Sequence, residues 1–184
     1  MVVTLDIEND VLLYYGFTSK KKPKSITIPE GVVSIGDEVF CYAIYIKSIQ
    51  LPQTLKTIGI SAFCCTGISQ IEMPPSVTDI GENAFSGCSK LKEIAIPNGV
   101  SVIKPTTFAS CEKLIKVYIP EGVVSIGEFA FMNCKRLKNI ELPKSLESIS
   151  NHAFAGCKKM TIHAPVGSYA ETYAKENNIP FVAI

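Results

Sequence analysis

Residues 91–114, Leu91 to Leu114, read LKEIAIPNGVSVIKPTTFASCEKL. The apolar positions are Leu91, Ile94, Ile96, Val100, Ile103, Phe108, Cys111 and Leu114. Around Ile94 and Ile96 the pattern alternates, with β-branched residues at every second place, which predicts a short strand. Pro97 follows at once and cannot donate to a ladder, so it ends the strand. Asn98-Gly99 makes a turn, and Val100 and Ile103 belong to a second short extended piece. A closing segment then leads to Phe108 and Cys111. In the unit before, that segment is GENAFSGC, Gly81 to Cys88, and it reads as one helical turn with Ala84, Phe85 and Cys88 on one side.

The same unit runs through the chain. Phe40, Phe63, Phe85, Phe108, Phe131 and Phe154 recur at intervals of 23, 22, 23, 23 and 23 residues. Pro29, Pro52, Pro74, Pro97, Pro120 and Pro143 keep those intervals, as do Ile26, Ile49, Ile71, Ile94, Val117 and Ile140. A fixed period of this length marks a solenoid, in which each unit stacks on the next and none buries its apolar face alone. The expected fold class is therefore a β-rich α/β solenoid of six repeats of about 23 residues. Parallel rungs at about 4.8 Å would make a rod about 30 Å long.

Both ends carry caps. Val3, Leu5 and Ile7 alternate, Glu8-Asn9-Asp10 turns, and VLLYY follows, which predicts a hairpin over the first rung. At the other end Ile162 begins a seventh strand, Ser168 and Glu171 form a capping box, and Tyr169, Ala170, Tyr173 and Ala174 give the next helix an apolar face. IPFVAI reads as a last extended piece. The expected organisation is an N-terminal cap over 1–24, the repeat array over 25–160 and a C-terminal cap over 161–184, complete at both ends.

Composition removes several function classes. The 184 residues are 47% hydrophobic and 19% charged, with net charge +1, so no global pull toward nucleic acid or a membrane surface is implied. No apolar run nears the roughly 20 residues that span a bilayer. The N-terminus lacks the charged and apolar regions of a secretory signal. There are seven cysteines, an odd count; six keep the repeat register and Cys65 stands alone, which does not read as a disulfide framework; they are expected to be buried small hydrophobes. Zinc sites need short paired spacings that this ladder lacks, and His152 and His163 share no repeated relation to a cysteine. No phosphate loop or calcium repeat is present. Lys20–Lys24, KKKPK, reads as a solvated loop rather than a localisation signal.

The unit I-x-I-P-x-G-V-x-x-I-G-x-x-A-F-x-x-C-x-x-L resembles the BspA-like, or Treponema pallidum type, leucine-rich repeat. IPEGVVSIGEFAFMNCKRL (Ile119–Leu137) and MPPSVTDIGENAFSGCSKL (Met73–Leu91) carry the likeness best. GSYAETYAKENNIPF (Gly167–Phe181) is similar to the segment that closes such arrays. The resemblance implies a right-handed superhelix without enzymatic activity. It also implies a place at the cell surface or outside the cell, and adhesion to host or matrix proteins.

In such a solenoid the outward strand side chains line one continuous face. One column is Ser25, Ser48, Gln70, Glu93, Lys116, Asn139 and Thr161; the other is Thr27, Gln50, Glu72, Ala95, Tyr118, Glu141 and His163. Tyr118 is the aromatic of that face, with Ile115 at its edge. Tyrosine offers a large contact area at low rotamer cost, so Gln70, Glu72, Glu93, Lys116, Tyr118, Asn139 and Glu141 are the expected partner-binding residues. The alternative is an acidic polymer held along a basic edge that includes Lys90, Lys113, Lys135, Arg136 and Lys158. Aromatics for base stacking are not interleaved there, which sets nucleic acid aside. The expected partner is a protein, met by a monomeric chain without cofactor, metal or membrane insertion.

Overall fold

In the computed structural model, residues 3–17 and 22–184 are described. Lys20 and Lys21 of the basic run lie outside them. Two series of short strands alternate along the chain, each residing on its own side of every rung. The hairpin strands β1 (Val3–Glu8) and β2 (Val11–Phe17) come first. The outward series is β3 (Ser25–Thr27), β5 (Ser48–Gln50), β8 (Glu93–Ala95), β10 (Lys116–Tyr118), β12 (Asn139–Glu141) and β14 (Thr161–Ala164). The second series is β4 (Ser34–Ile35), β6 (Thr57–Ile58), β7 (Asp79–Ile80), β9 (Val102–Ile103), β11 (Ser125–Ile126) and β13 (Ser148–Ile149). Helix α1 (Tyr169–Glu176) and β15 (Phe181–Ala183) close the chain. The result is a parallel-strand solenoid, as the period predicts.

The core is a set of columns running along the solenoid axis. Phe40, Phe63, Phe85, Phe108 and Phe131 are fully buried. Successive rings stack at 5.2 to 5.5 Å between centroids, and Phe154 continues the stack at 5.4 Å. These spacings suit offset stacking. Tyr15 of the hairpin meets Phe40 at 5.0 Å, and Tyr173 of α1 meets Phe154 edge-on at 6.2 Å. Each cap therefore supplies the ring that the end of the column lacks.

The segments around Phe40, Phe63, Phe85, Phe108 and Phe131 are not helical turns, contrary to expectation. The residues two before the column phenylalanine, Glu38, Ser61, Asn83, Thr106 and Phe129, have φ between 53° and 59°. The residues two after it include Tyr42, Cys65, Gly87, Ser110 and Asn133, all with positive φ. This alternation aims peptide groups at the next rung instead of along a helix. The Phe40 N–H donates to the Ala62 carbonyl at 2.8 Å, and the Phe108 N–H to that of Ala130 at 2.8 Å. Hydrogen bonding between rungs thus overrides local helical preference.

The cysteines do more than fill space. The buried thiols of Cys88, Cys111, Cys134 and Cys157 donate to the carbonyls of Phe63, Phe85, Phe108 and Phe131 in the preceding rung, at 3.1 to 3.2 Å. This weak donor ladder runs parallel to the rings and adds a rung-to-rung link in an apolar interior.

Neither strand ladder is hydrogen-bonded without a break. The outward series divides into β3–β5, β8–β10 and β12–β14–β15. Gln70 and Glu72 lie outside any strand, in the rung where one residue is missing between Phe63 and Phe85. The second series divides between β7 and β9. There the glycine column is interrupted. A Cβ on Gly81 would lie 2.6 Å from the Gly59 carbonyl carbon, so adjacent rungs touch backbone to backbone at this place. Lys104 stands where the next glycine is due and needs more room, and its ammonium instead reaches Asp79 across the rung at 2.7 Å.

The caps have sharper shapes than the sequence shows. The hairpin turns at Asn9 and Asp10, both with positive φ, and β2 pairs with β4, so it extends the second series rather than covering the whole rung. At α1 the Ser168 hydroxyl accepts from the Glu171 N–H, while the Glu171 carboxylate accepts from the Gly167 N–H at 2.7 Å. Ala170, Tyr173 and Ala174 are buried, but Tyr169 is exposed. Strand β15 adds to β14 in parallel.

Candidate functional site

Alternation along each outward strand fixes the site. The central residue of β8, β10 and β12, Ile94, Val117 and Ile140, is buried, and both flanking residues are exposed. Glu93 and Ala95 lie in register with Lys116 and Tyr118, and Asn139 and Glu141 continue that surface in the next rung. Strands β10 and β12 are not hydrogen-bonded neighbours. An open groove of about 810 Å³ lies at this parting, lined by Ile115, Lys116, Tyr118, Ile119, Pro120, Asn139 and Glu141 together with Ala95, Ile96 and Asn98.

The groove combines apolar area with fixed charge. Ile115 is 46% exposed and Tyr118 48%. The Lys116 ammonium lies over the Tyr118 ring, 4.3 Å from its centroid, a favourable placement of a cation on a π face. The contact with Tyr118 raises the Lys116 pKa above the ordinary lysine value, and the Glu93 and Glu141 carboxylates add to it. The ammonium covers one face of the ring, and Tyr118 and Ile115 stay about half exposed to solvent. Such a surface can seat an apolar side chain and offer hydrogen bonds around it.

Five of the seven expected binding residues belong to this region. Glu93, Lys116, Tyr118, Asn139 and Glu141 lie together on β8, β10 and β12, the last four lining the groove. Gln70 and Glu72 do not join them; they line a smaller groove of about 300 Å³ with Ser48, Gln50 and Gln53. The sequence reading missed Ile119, Pro120 and Asn98, which follow the strand or sit in the turn after it. Their signal, an apolar residue kept half-buried beside the repeat proline, is visible only once the parting of β10 and β12 is known.

The basic edge holds mixed states. Lys90, Lys135, Arg136 and Lys158 are exposed and Lys113 is half-buried. Lys135 is bound to Glu112 at 2.6 Å. Lys90, Lys113, Arg136 and Lys158 make no ion pair among the described residues. One further polar cluster lies near the C-terminal cap: the Glu128 carboxylate accepts from the Ser150 hydroxyl and sits 2.7 Å from His152 Nδ1. The acid stands between hydroxyl and imidazole, so His152 is not placed to take the Ser150 proton. His163 faces outward against Asn139. Among the described residues no group of three His, Cys, Asp or Glu side chains is placed to hold a metal ion. No helix there is long and apolar enough to cross a membrane.

The chain matches the family model described as a BspA type leucine rich repeat region, in six copies, over residues 12–123 and 101–174. Among solved structures it is similar to a leucine rich cell surface protein from Faecalibacterium prausnitzii. The identity is 27% and the TM-score 0.63, over 88% of this chain and 52% of that one. It is also similar to a leucine-rich repeat protein from Eubacterium ventriosum, at 26% identity and TM-score 0.72, over 82% and 41%. A leucine-rich repeat protein of T. pallidum matches at 23% identity and TM-score 0.56, over 90% and 70%, a likeness of fold alone. The chain thus spans about half of the first two structures. No curated protein matches the chain.

Proposed function

Because this chain belongs to the BspA-type leucine-rich-repeat proteins, we propose that it is a non-catalytic module that binds a protein partner through its outward strand face. The binding residues are Glu93, Lys116, Tyr118, Asn139 and Glu141, with Gln70 and Glu72 as an outlying part. The observation that supports this most is the groove at the β10–β12 parting, where a half-exposed Tyr118 and Ile115 lie beside fixed polar groups. Large aromatic anchors ringed by polar residues are what protein interfaces concentrate their energy on. A cell-surface, adhesive role belongs to the same proposal, and the Faecalibacterium protein described as a cell surface protein lends it support. The cap and array boundaries at 24 and 160, and a monomeric state, are part of it too.

The test is a paired affinity capture with the full chain and its Tyr118→Ala variant, at low and high salt. The expected result is a protein retained by the parent, lost by the variant and insensitive to salt. Identical retention on both columns overturns the choice of site. A second reading places an acidic glycan or wall polymer on the edge formed by Lys90, Lys113, Lys135, Arg136 and Lys158. It is favoured by the four cations there that lack an ion pair among the described residues. Binding of that kind must fall steeply with salt as counterions are released, and it must survive Tyr118→Ala.

A further inference from the structure

Four cysteines are accounted for by the buried thiol ladder. The other three, Cys41, Cys64 and Cys65, are half-exposed and lie together at the N-terminal end of the array. Cys41 and Cys64 each follow a column phenylalanine by one residue, in adjacent rungs. Hydrogen bonds on both sides hold their backbones together: Phe40 N–H to the Ala62 carbonyl and Tyr42 N–H to the Cys64 carbonyl, both 2.8 Å. Segments bonded in this way run at about 4.8 Å. That lies within the roughly 4.4–6.8 Å between α-carbons that a disulfide requires. Burial raises the Cys41 pKa, and the Cys64 thiol is near enough to act against that rise. Cys64 Sγ lies 3.7 Å from Cys65 Sγ as well. That pair is joined by a trans peptide, which fixes its α-carbons at about 3.8 Å, short of the disulfide range.

We propose that Cys41 and Cys64 form an oxidation site, closing a disulfide between the first two rungs when the chain meets a small-molecule disulfide, and that Cys65 stays reduced. The chemistry is two exchanges. One protein thiol loses its proton to solvent and attacks the small disulfide, expelling one thiolate and leaving a mixed disulfide. The second protein thiol loses its proton, attacks the protein sulfur of that bond and expels the other thiolate. Two protein S–H groups are oxidised and one small disulfide is reduced to two thiols. Burial pushes the Cys64 thiol up to about 12 and raises Cys41 as well. Thiols so reluctant to ionise make the exchange slow, and they make the disulfide, once formed, hard to reduce. The link would staple the rung that receives the N-terminal hairpin.

The test treats the native full chain with oxidised glutathione, alkylates the remaining thiols under denaturing conditions and maps the peptides. Before alkylation the expected product is about 2 Da lighter than the untreated chain, the mass of two hydrogens lost in the exchange. It should carry a peptide cross-linked through Cys41 and Cys64 that dithiothreitol separates. Cys65→Ser should keep the cross-link, and Cys41→Ser should lose it. A Cys64–Cys65 link, a stable glutathione adduct without an internal bond, or full alkylation of all three thiols overturns the proposal. The parent chain alone distinguishes these outcomes, so a variant that fails to fold leaves the test standing.

Discussion

Replacing Phe108 by alanine tests the column directly. Its ring is fully buried and lies between those of Phe85 at 5.5 Å and Phe131 at 5.4 Å, tilted by 9° and 13°. Burying a phenylalanine and losing it to alanine costs about 3–5 kcal/mol, more where the cavity cannot collapse. Here it cannot, because rung hydrogen bonds hold the walls: Phe85 N–H to the Thr107 carbonyl at 2.9 Å and Phe108 N–H to that of Ala130 at 2.8 Å. The expected loss is therefore about 4–5 kcal/mol, a large part of the stability of an ordinary domain. Phe154→Ala should cost less, about 3 kcal/mol, since Phe154 is slightly exposed and its far neighbour Tyr173 meets it only edge-on. The double variant Phe85→Ala/Phe108→Ala should fall short of the sum by about 0.5–1.5 kcal/mol, the ring pair being counted twice in the single variants. Urea unfolding reads these values, and native-state hydrogen exchange should show the rungs of Phe85 to Phe131 opening before the ends. A Phe108→Ala loss under about 2 kcal/mol in a folded chain, or an equal or larger loss at Phe154, would mean that the rings are not held in one rigid column.

Three other outcomes follow from named groups. Tyr118→Ala should weaken the captured partner by about 2 kcal/mol or more, near thirtyfold, measured by calorimetry, with urea stability almost unchanged. Cys111→Ala removes a buried thiol and its bond to the Phe85 carbonyl, and should cost about 1–2 kcal/mol in urea unfolding. Stability should also depend on pH at both extremes. Burial pushes the Cys88 thiol up to about 12 and Cys111 well above its ordinary value. The unfolded thiols ionise first as pH rises past about 8.5, so each such thiol should remove about 1.4 kcal/mol per pH unit in alkaline urea titrations. At acid pH the sign reverses. Lys175 and the Gly167 N–H hold the Glu171 carboxyl below its ordinary value. The contribution of Glu171 is then whole above the unfolded glutamate range and is lost as pH falls through the folded value. Exchange protection of α1 should drop in that window, and Glu171→Gln should abolish the drop.

The columns were legible because every rung solves the same burial problem with the same residues. Phe40 to Phe154 can be aligned by counting, and their stacking needs nothing else. Tyr118 was legible for the same reason, since period-two alternation around buried Val117 leaves it outside. The turns were not. Asn83 and Phe129 take the same left-handed conformation, yet Glu38, Ser61 and Thr106 share it too, so no residue type announces it. The conformation is imposed by the neighbouring rung, which a local reading cannot see. The groove was half legible: its wall residues alternate outward, but the parting of β10 from β12 arises from pairing between rungs. The meeting of Cys41 and Cys64 was present in their 23-residue spacing, whereas the backbone bonds that hold the two rungs together there required the rungs side by side.

A bound partner must cover the solenoid at the groove around Tyr118 if that groove is the binding face. Hydrogen exchange of the full chain with and without its captured protein reads this directly. Protection should rise over residues 93–98, 115–120 and 139–141, the surface around Tyr118, and stay level elsewhere. Protection gathered instead at Lys90, Lys113, Arg136 and Lys158, with that surface unchanged, would contradict it.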